Sequence, residues 1–123
     1  RDAVKVIVNV SSVDKYYRLA DVCVAPSTGE EGYGLAVVEC MAYGKPVIAS
    51  DVFLETGVAC EDRAYIFPRG SAEKFAELIL HVYRNYDEAL MKAAKGLEYA
   101  RQCSWRKVAE FFLRVIDKVL SRQ

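Results

Sequence analysis

The stretch Pro26 to Pro46, PSTGEEGYGLAVVECMAYGKP, holds the residues whose types and spacing could do chemistry. Gly32 and Gly34 flank Tyr33, so the backbone there can approach a ligand closely and turn its N–H groups outward. If a helix opens near Gly34, its unpaired N–H groups and positive dipole end make an anion site suited to a phosphate. Glu31 lies beside that turn, and Glu39 follows Gly34 by about 7.5 Å along a helix axis. Helical side chains lean toward the N-terminus, so the Glu39 carboxylate reaches back toward a ligand lying there. A carboxylate accepts two hydrogen bonds from a vicinal diol, which suits a ribose or a hexose. A phosphate-binding turn flanked by two diol-reading acids fits a nucleotide sugar. On spacing alone a plainer reading stays open, with Glu39 an ordinary helix residue and Glu31 a solvated loop acid, both favourable near a helix N-terminus.

The elements that must position these residues can be read from the pattern. Val4 to Val10 is rich in β-branched residues and reads as a strand. Ser11 and Ser12 are N-cap candidates, with Asp14 three residues after Ser11, for a short helix to about Leu19. Asp21–Ala25 and Pro46–Ser50 are short strands apolar on both faces, as parallel central strands are, and Ala64–Phe67 reads as a fourth. Between them Leu35–Tyr43 reads as a helix stopped by Gly44 and Pro46. The fold class is therefore α/β, a Rossmann-like parallel sheet of about four strands flanked by helices, over residues 1–70. Residues 71–123 form a helical segment of the same single unit. Ser71 caps one helix there, a second covers about Tyr86–Arg101, and Ser104 caps a third. The third carries a wide apolar stripe from Val108 to Leu120, expected to pack on the sheet or a neighbouring helix. In such a sheet, ligands bind at the carboxyl ends of the strands, which is where the Pro26–Gly34 loop falls.

Composition narrows the function classes. Of the 123 residues, 53% are hydrophobic and 28% charged, which excludes a disordered chain. Seventeen basic and 17 acidic residues balance, so there is no cationic field for nucleic acid. The charge is nonetheless uneven, with a net −4 over residues 1–68 and +4 over 69–123, which reads as a solvated helical face. No apolar run reaches the length of a membrane span. Cys23, Cys40, Cys60 and Cys103 lack metal or disulfide spacing and His81 stands alone, so the thiols read as small hydrophobes of a reducing cytoplasm and no metal site is expected.

The run Glu31-Gly-Tyr-Gly-Leu-Ala-Val-Val-Glu39, followed by Ala42-Tyr-Gly-Lys-Pro-Val-Ile-Ala-Ser50, resembles the donor-binding signature of the group 1 glycosyltransferases (glycosyltransferase family 4). Tyr16-Tyr17, Ala20-Asp21-Val22, Pro26-Ser27 and the Ser104-Trp105 helix start extend the likeness over about residues 12–120. The resemblance implies the C-terminal donor-binding domain of a two-domain GT-B enzyme that transfers a sugar from a nucleoside-diphosphate (NDP) sugar with retention. Glu31 is then the candidate catalytic residue, contacting donor-sugar hydroxyls, with no nucleophile role assigned to it. Glu39 binds the ribose, while Gly32, Tyr33, Gly34, Leu35 and Ser27 complete the donor-binding set. The implied donor is an NDP-sugar, with no cofactor and no metal, in a cytoplasmic protein whose full-length form could associate with a membrane surface. Three features depart from the family. The basic pair that neutralises the diphosphate, and the N-terminal domain with its acceptor site, have no counterpart in these residues. Asp51-Val-Phe-Leu-Glu55 stands where the family places small, glycine-containing sequence. With Arg1 at its start, the chain reads as a truncated piece that does not catalyse alone, its last helix free to pair with a second copy. The alternative is a non-catalytic sugar-nucleotide-binding or scaffold domain. A phospho-acceptor receiver domain is set aside because Lys45-Pro46 precedes Asp51.

Overall fold

The computed structural model describes residues 3–121. The element order is α1 (Asp14–Leu19), β1 (Cys23–Ala25), α2 (Leu35–Ala42), β2 (Val47–Ser50), α3 (Val52–Glu55), β3 (Tyr65–Phe67), α4 (Ala72–Arg84), α5 (Tyr86–Gln102) and α6 (Trp105–Leu120). The three strands form one parallel sheet in the order β1-β2-β3, with Cys23 opposite Val47 and Ile48 opposite Tyr65. Every residue of β2 is buried, which is why its sequence is an unbroken run of small and apolar side chains. One face carries Val37, Cys40 and Met41 of α2 against Cys23, Val47 and Ala49, and the other carries Ile48, Tyr65 and Phe67 against Val82 of α4.

The expected strand at Val4–Val10 does not form. A strand exists through its backbone partners, and β-branched composition alone does not supply them. Val4, Val6 and Val8 are exposed, and Lys5, Ile7 and Val10 lie across α1, lining a groove with Val13, Tyr16 and Tyr17. The sheet has three strands accordingly. At the start of α1 the cap position is Val13 without a side-chain bond, and Ser12 Oγ instead accepts from the Asp14 N–H at 3.4 Å.

The helix stops behave as written in the sequence. Gly44 is left-handed at φ 65°, its N–H bonds the Met41 carbonyl at 2.9 Å, and the Lys45 N–H reaches the Cys40 carbonyl at 3.3 Å. This pair of bonds closes α2 and turns the chain into Pro46 and β2. Ser71 and Ser104 accept from Lys74 and Lys107 N–H groups, capping α4 and α6.

Helix α5 buries the small residues Ala89, Ala93, Gly96 and Ala100; Gly96 and Ala100 lie on the α2 side, and Ala89 joins Ile48, Tyr65, Phe67 and Val82 on the other. A Cβ at Gly96 would lie 3.0 Å from Met41 Cγ, so glycine sets how closely the two helices approach. Helix α6 departs from expectation: its apolar stripe packs on nothing, none of its residues is buried, and Trp105 is 89% exposed. Helices α2 and α4 flank a sheet whose strands are only 3–4 residues long, and α5 packs on those two helices, so the core closes without α6. Among the described residues, no helix is long and apolar enough to cross a membrane.

Candidate functional site

The loop from Pro26 to Gly34 leaves the carboxyl end of β1 and enters α2, with Gly34 at the N-cap. Gly34 has φ 92° and ψ 46°, and a Cβ there would lie 2.9 and 3.0 Å from Cδ1 and Cε1 of the Phe53 ring. Backbone conformation and space therefore both demand glycine. The Val37 and Val38 N–H groups bond the Gly34 carbonyl at 3.0 and 3.2 Å. The N–H groups of Leu35 and Ala36 precede this ladder and stand at the positive end of the helix dipole. Leu35 itself is 67% exposed and takes no part in the core. Around Gly32 nothing lies within 4 Å of where a Cβ would be, so the approach to the backbone is open.

Each expected acid is held by a hydroxyl. The Ser27 hydroxyl donates to Glu31 Oε1 across the loop, joining two residues of the expected site. The Tyr17 hydroxyl donates to Glu39 Oε2 at 2.8 Å. Burial and the Glu39 carboxylate both push the Tyr17 phenol up, so it stays protonated at neutral pH and remains a donor. The Tyr17 ring stacks on Tyr43 at 5.2 Å, and the Tyr43 hydroxyl donates to Asp14. The Arg18 guanidinium, then Tyr43, hold the Asp14 carboxyl below its ordinary range. One oxygen of each glutamate thus has a protein partner that fixes its plane, and the remaining lone pairs are available to hydroxyls of a ligand.

Tyr33 turns away from the acids. Its hydroxyl lies 3.3 Å from Tyr99 Oη and donates to Cys103 Sγ at 3.3 Å, both on or just after α5. Two basic residues are committed elsewhere. Arg69, at the carboxyl end of β3, pairs with Asp51 at 2.8 Å and with Glu55, and Lys45 lies past the far end of α2, where it donates to the Arg18 carbonyl at 3.1 Å. Among the described residues no cluster of three metal-ligating side chains occurs.

Sequence reasoning named Ser27, the partner of Glu31, but missed Phe53, the Tyr17 hydroxyl on Glu39 and the partners of Tyr33. Phe53 sits in the Asp51–Glu55 stretch, which folds as the one-turn helix α3 and places its ring behind Gly34. Tyr17 is 22 residues from Glu39, and Tyr99 is 66 from Tyr33, so no local spacing announces either contact. The Tyr16-Tyr17 match was the only available signal for the first.

The sequence model of the family described as "Glycosyl transferases group 1" matches residues 1–85. The chain is 34% identical over 103 residues to a phosphatidyl-myo-inositol mannosyltransferase of Mycobacterium leprae (strain TN), covering 83% of this chain and 28% of that protein. The fold superposes on Anabaena HepE, solved in complex with UDP, with TM-score 0.76 and 18% identity, over 91% of this chain and 30% of that one. It also superposes on the C-terminal domain of a group 1 family protein from Francisella tularensis, with TM-score 0.70 and 21% identity, over 81% of this chain and 51% of that one. The chain thus spans under a third of the mannosyltransferase's length. With the family's sequence model covering more than half of the residues, and the α/β fold shared with its solved C-terminal domain, the chain belongs to the group 1 glycosyl transferases.

Proposed function

We propose that this chain binds the nucleoside-diphosphate part of a sugar donor at the N-terminus of α2, as the donor half of a retaining glycosyl transferase. The observation that carries the proposal is the open glycine turn at the carboxyl end of β1, with Glu31 and Glu39 each held by a hydroxyl beside it. The Leu35 and Ala36 N–H groups face a phosphate and stabilise the negative charge that grows as the diphosphate departs. Glu39 accepts from the ribose diol and Glu31 from hydroxyls of the transferred sugar. The Anabaena protein solved with UDP supports a uridine diphosphate as the first donor to try. Turnover and acceptor binding belong to segments beyond these 123 residues, so the chain alone binds donor and transfers nothing. Four free thiols, two of them buried, suit a reducing compartment, and we place the protein in the cytoplasm.

Arg69 and Lys45 are engaged elsewhere and two acids flank the turn, so affinity for UDP is expected at about the millimolar level. The test is an amide-shift NMR titration with UDP, GDP, ADP and UDP-glucose. Saturable shifts are expected at Gly32–Glu39. Glu39→Ala should weaken every nucleotide by about tenfold or more, the worth of charge-assisted hydrogen bonds. Glu31→Gln should weaken UDP-glucose while leaving UDP unchanged. A folded chain whose turn amides ignore all four ligands at millimolar concentration overturns the reading.

A further inference from the structure

The glycines that open the turn also leave it loose. A Cβ at Gly32 would meet nothing within 4 Å, so no packing holds the turn on that side, while Gly34 is backed by the Phe53 ring and Tyr33 lies between the two. The Tyr33 ring is 45% exposed, and what anchors it lies at its far end. There a directed chain forms: the Tyr99 hydroxyl donates to Tyr33 Oη at 3.3 Å, the Tyr33 hydroxyl donates to Cys103 Sγ at 3.3 Å, and the Cys103 thiol donates to the Tyr99 carbonyl at 3.4 Å.

The other side of the turn is gripped through the same tyrosine. The Arg63 guanidinium lies 3.9 Å from the Tyr99 ring centroid, while its Nε and Nη2 donate to the Val58 and Gly57 carbonyls at 2.9 and 2.6 Å. Val58 Cγ1 in turn lies 3.7 Å from the Cβ position of Gly34. Tyr33, Tyr99, Arg63 and Val58 are therefore linked in series, and the Val58 side chain borders the space beside Gly34.

We propose that Tyr99 and Cys103 are positioning residues of the donor site: from the end of α5 they set the conformation of the Gly32–Leu35 turn through the hydroxyl of Tyr33. What the turn binds rests on the function proposed above. Holding the turn before the ligand arrives removes an ordering cost that binding would otherwise meet.

The test uses the whole 123-residue chain, first without ligand. Amide hydrogen exchange is measured at Gly32–Leu35 for the parent chain, Tyr33→Phe, Tyr99→Phe, the double variant, Cys103→Ser and Cys103→Ala. Exchange at Gly34 and Leu35 is expected to rise at least threefold in either Phe variant, with β2 amides unmoved. The double variant should be no worse than Tyr33→Phe alone, since both changes break one chain. Cys103→Ser, which keeps a donor and an acceptor, should stay near the parent while Cys103→Ala does not. UDP affinity should fall about fivefold in step, the worth of one hydrogen bond. Unchanged turn exchange in both Phe variants, with the chain folded, overturns the proposal. If the turn loosens as described but the parent chain binds no UDP, the positioning role stands and the donor reading falls.

Discussion

Gly34 caps α2, bends the chain at φ 92° and leaves room for the Phe53 ring, so three functions of the site meet in one hydrogen atom. Gly34→Ala is expected to cost about 2–4 kcal/mol, combining the left-handed penalty with crowding against a buried ring. Urea denaturation measures it, and Phe53→Leu in the same chain should recover part of the loss by vacating the space. A cost under about 0.5 kcal/mol would show that the turn adapts freely. The residue types of this site were legible because glycine and glutamate carry their chemistry in their identity. Apart from Ser27, their partners were not. That Glu39 is held by Tyr17 depends on α1 lying beside α2, a tertiary fact with no local spacing to betray it.

At the scale of elements, caps and stops were readable because each rests on a local hydrogen bond, as at Ser71, Ser104 and Gly44. Strand identity was less so. Val47–Ser50 and Val4–Val10 are both β-branched runs, yet only the first finds neighbours on both edges. The one-turn helix α3 is held from outside: Arg69 pairs with Asp51 just before it and with Glu55 at its end. The Arg69 hydrogen bonds hold the Asp51 carboxyl below its ordinary value of 3.8. A depressed folded value means the contribution is complete above pH 3.8 and is lost as pH falls through the lower, folded value. Carboxyl-carbon NMR should therefore place the Asp51 midpoint below 3.8, and Arg69→Met, which removes the side-chain bond and keeps the backbone one, should raise it. The same titration should release the Arg69 amide, whose N–H donates to Asp51 Oδ1 at 3.1 Å. An Asp51 midpoint that Arg69→Met leaves unmoved would assign the depression to another cause.

For the whole molecule, the decisive feature is a helix of which no residue is buried. The periodicity of α6 was legible, but its burial was not, because an apolar stripe records that a face is covered and leaves open by what. Phe111, Phe112, Leu113, Ile116, Val119 and Leu120 are all at least half exposed, a contiguous apolar face of the kind that marks an interaction surface. Deleting residues 105–123 should then leave the melting temperature of the dilute chain within about 2 °C, since each kcal/mol lost from a chain of this size shifts it by about 4 °C. The cost of α6 is expected elsewhere, in self-association. Light scattering at high protein concentration should give a mass above the monomer for the full chain and a monomer for the deletion, with binding of an apolar dye falling in parallel. Because Cys103 and Tyr99 precede the cut, turn exchange at Gly32–Leu35 should be the same in both forms. A fall of more than about 5 °C on deletion would mean that α6 packs on the domain in solution, and a 123-residue chain that stays monomeric would rule out a second copy as what covers it.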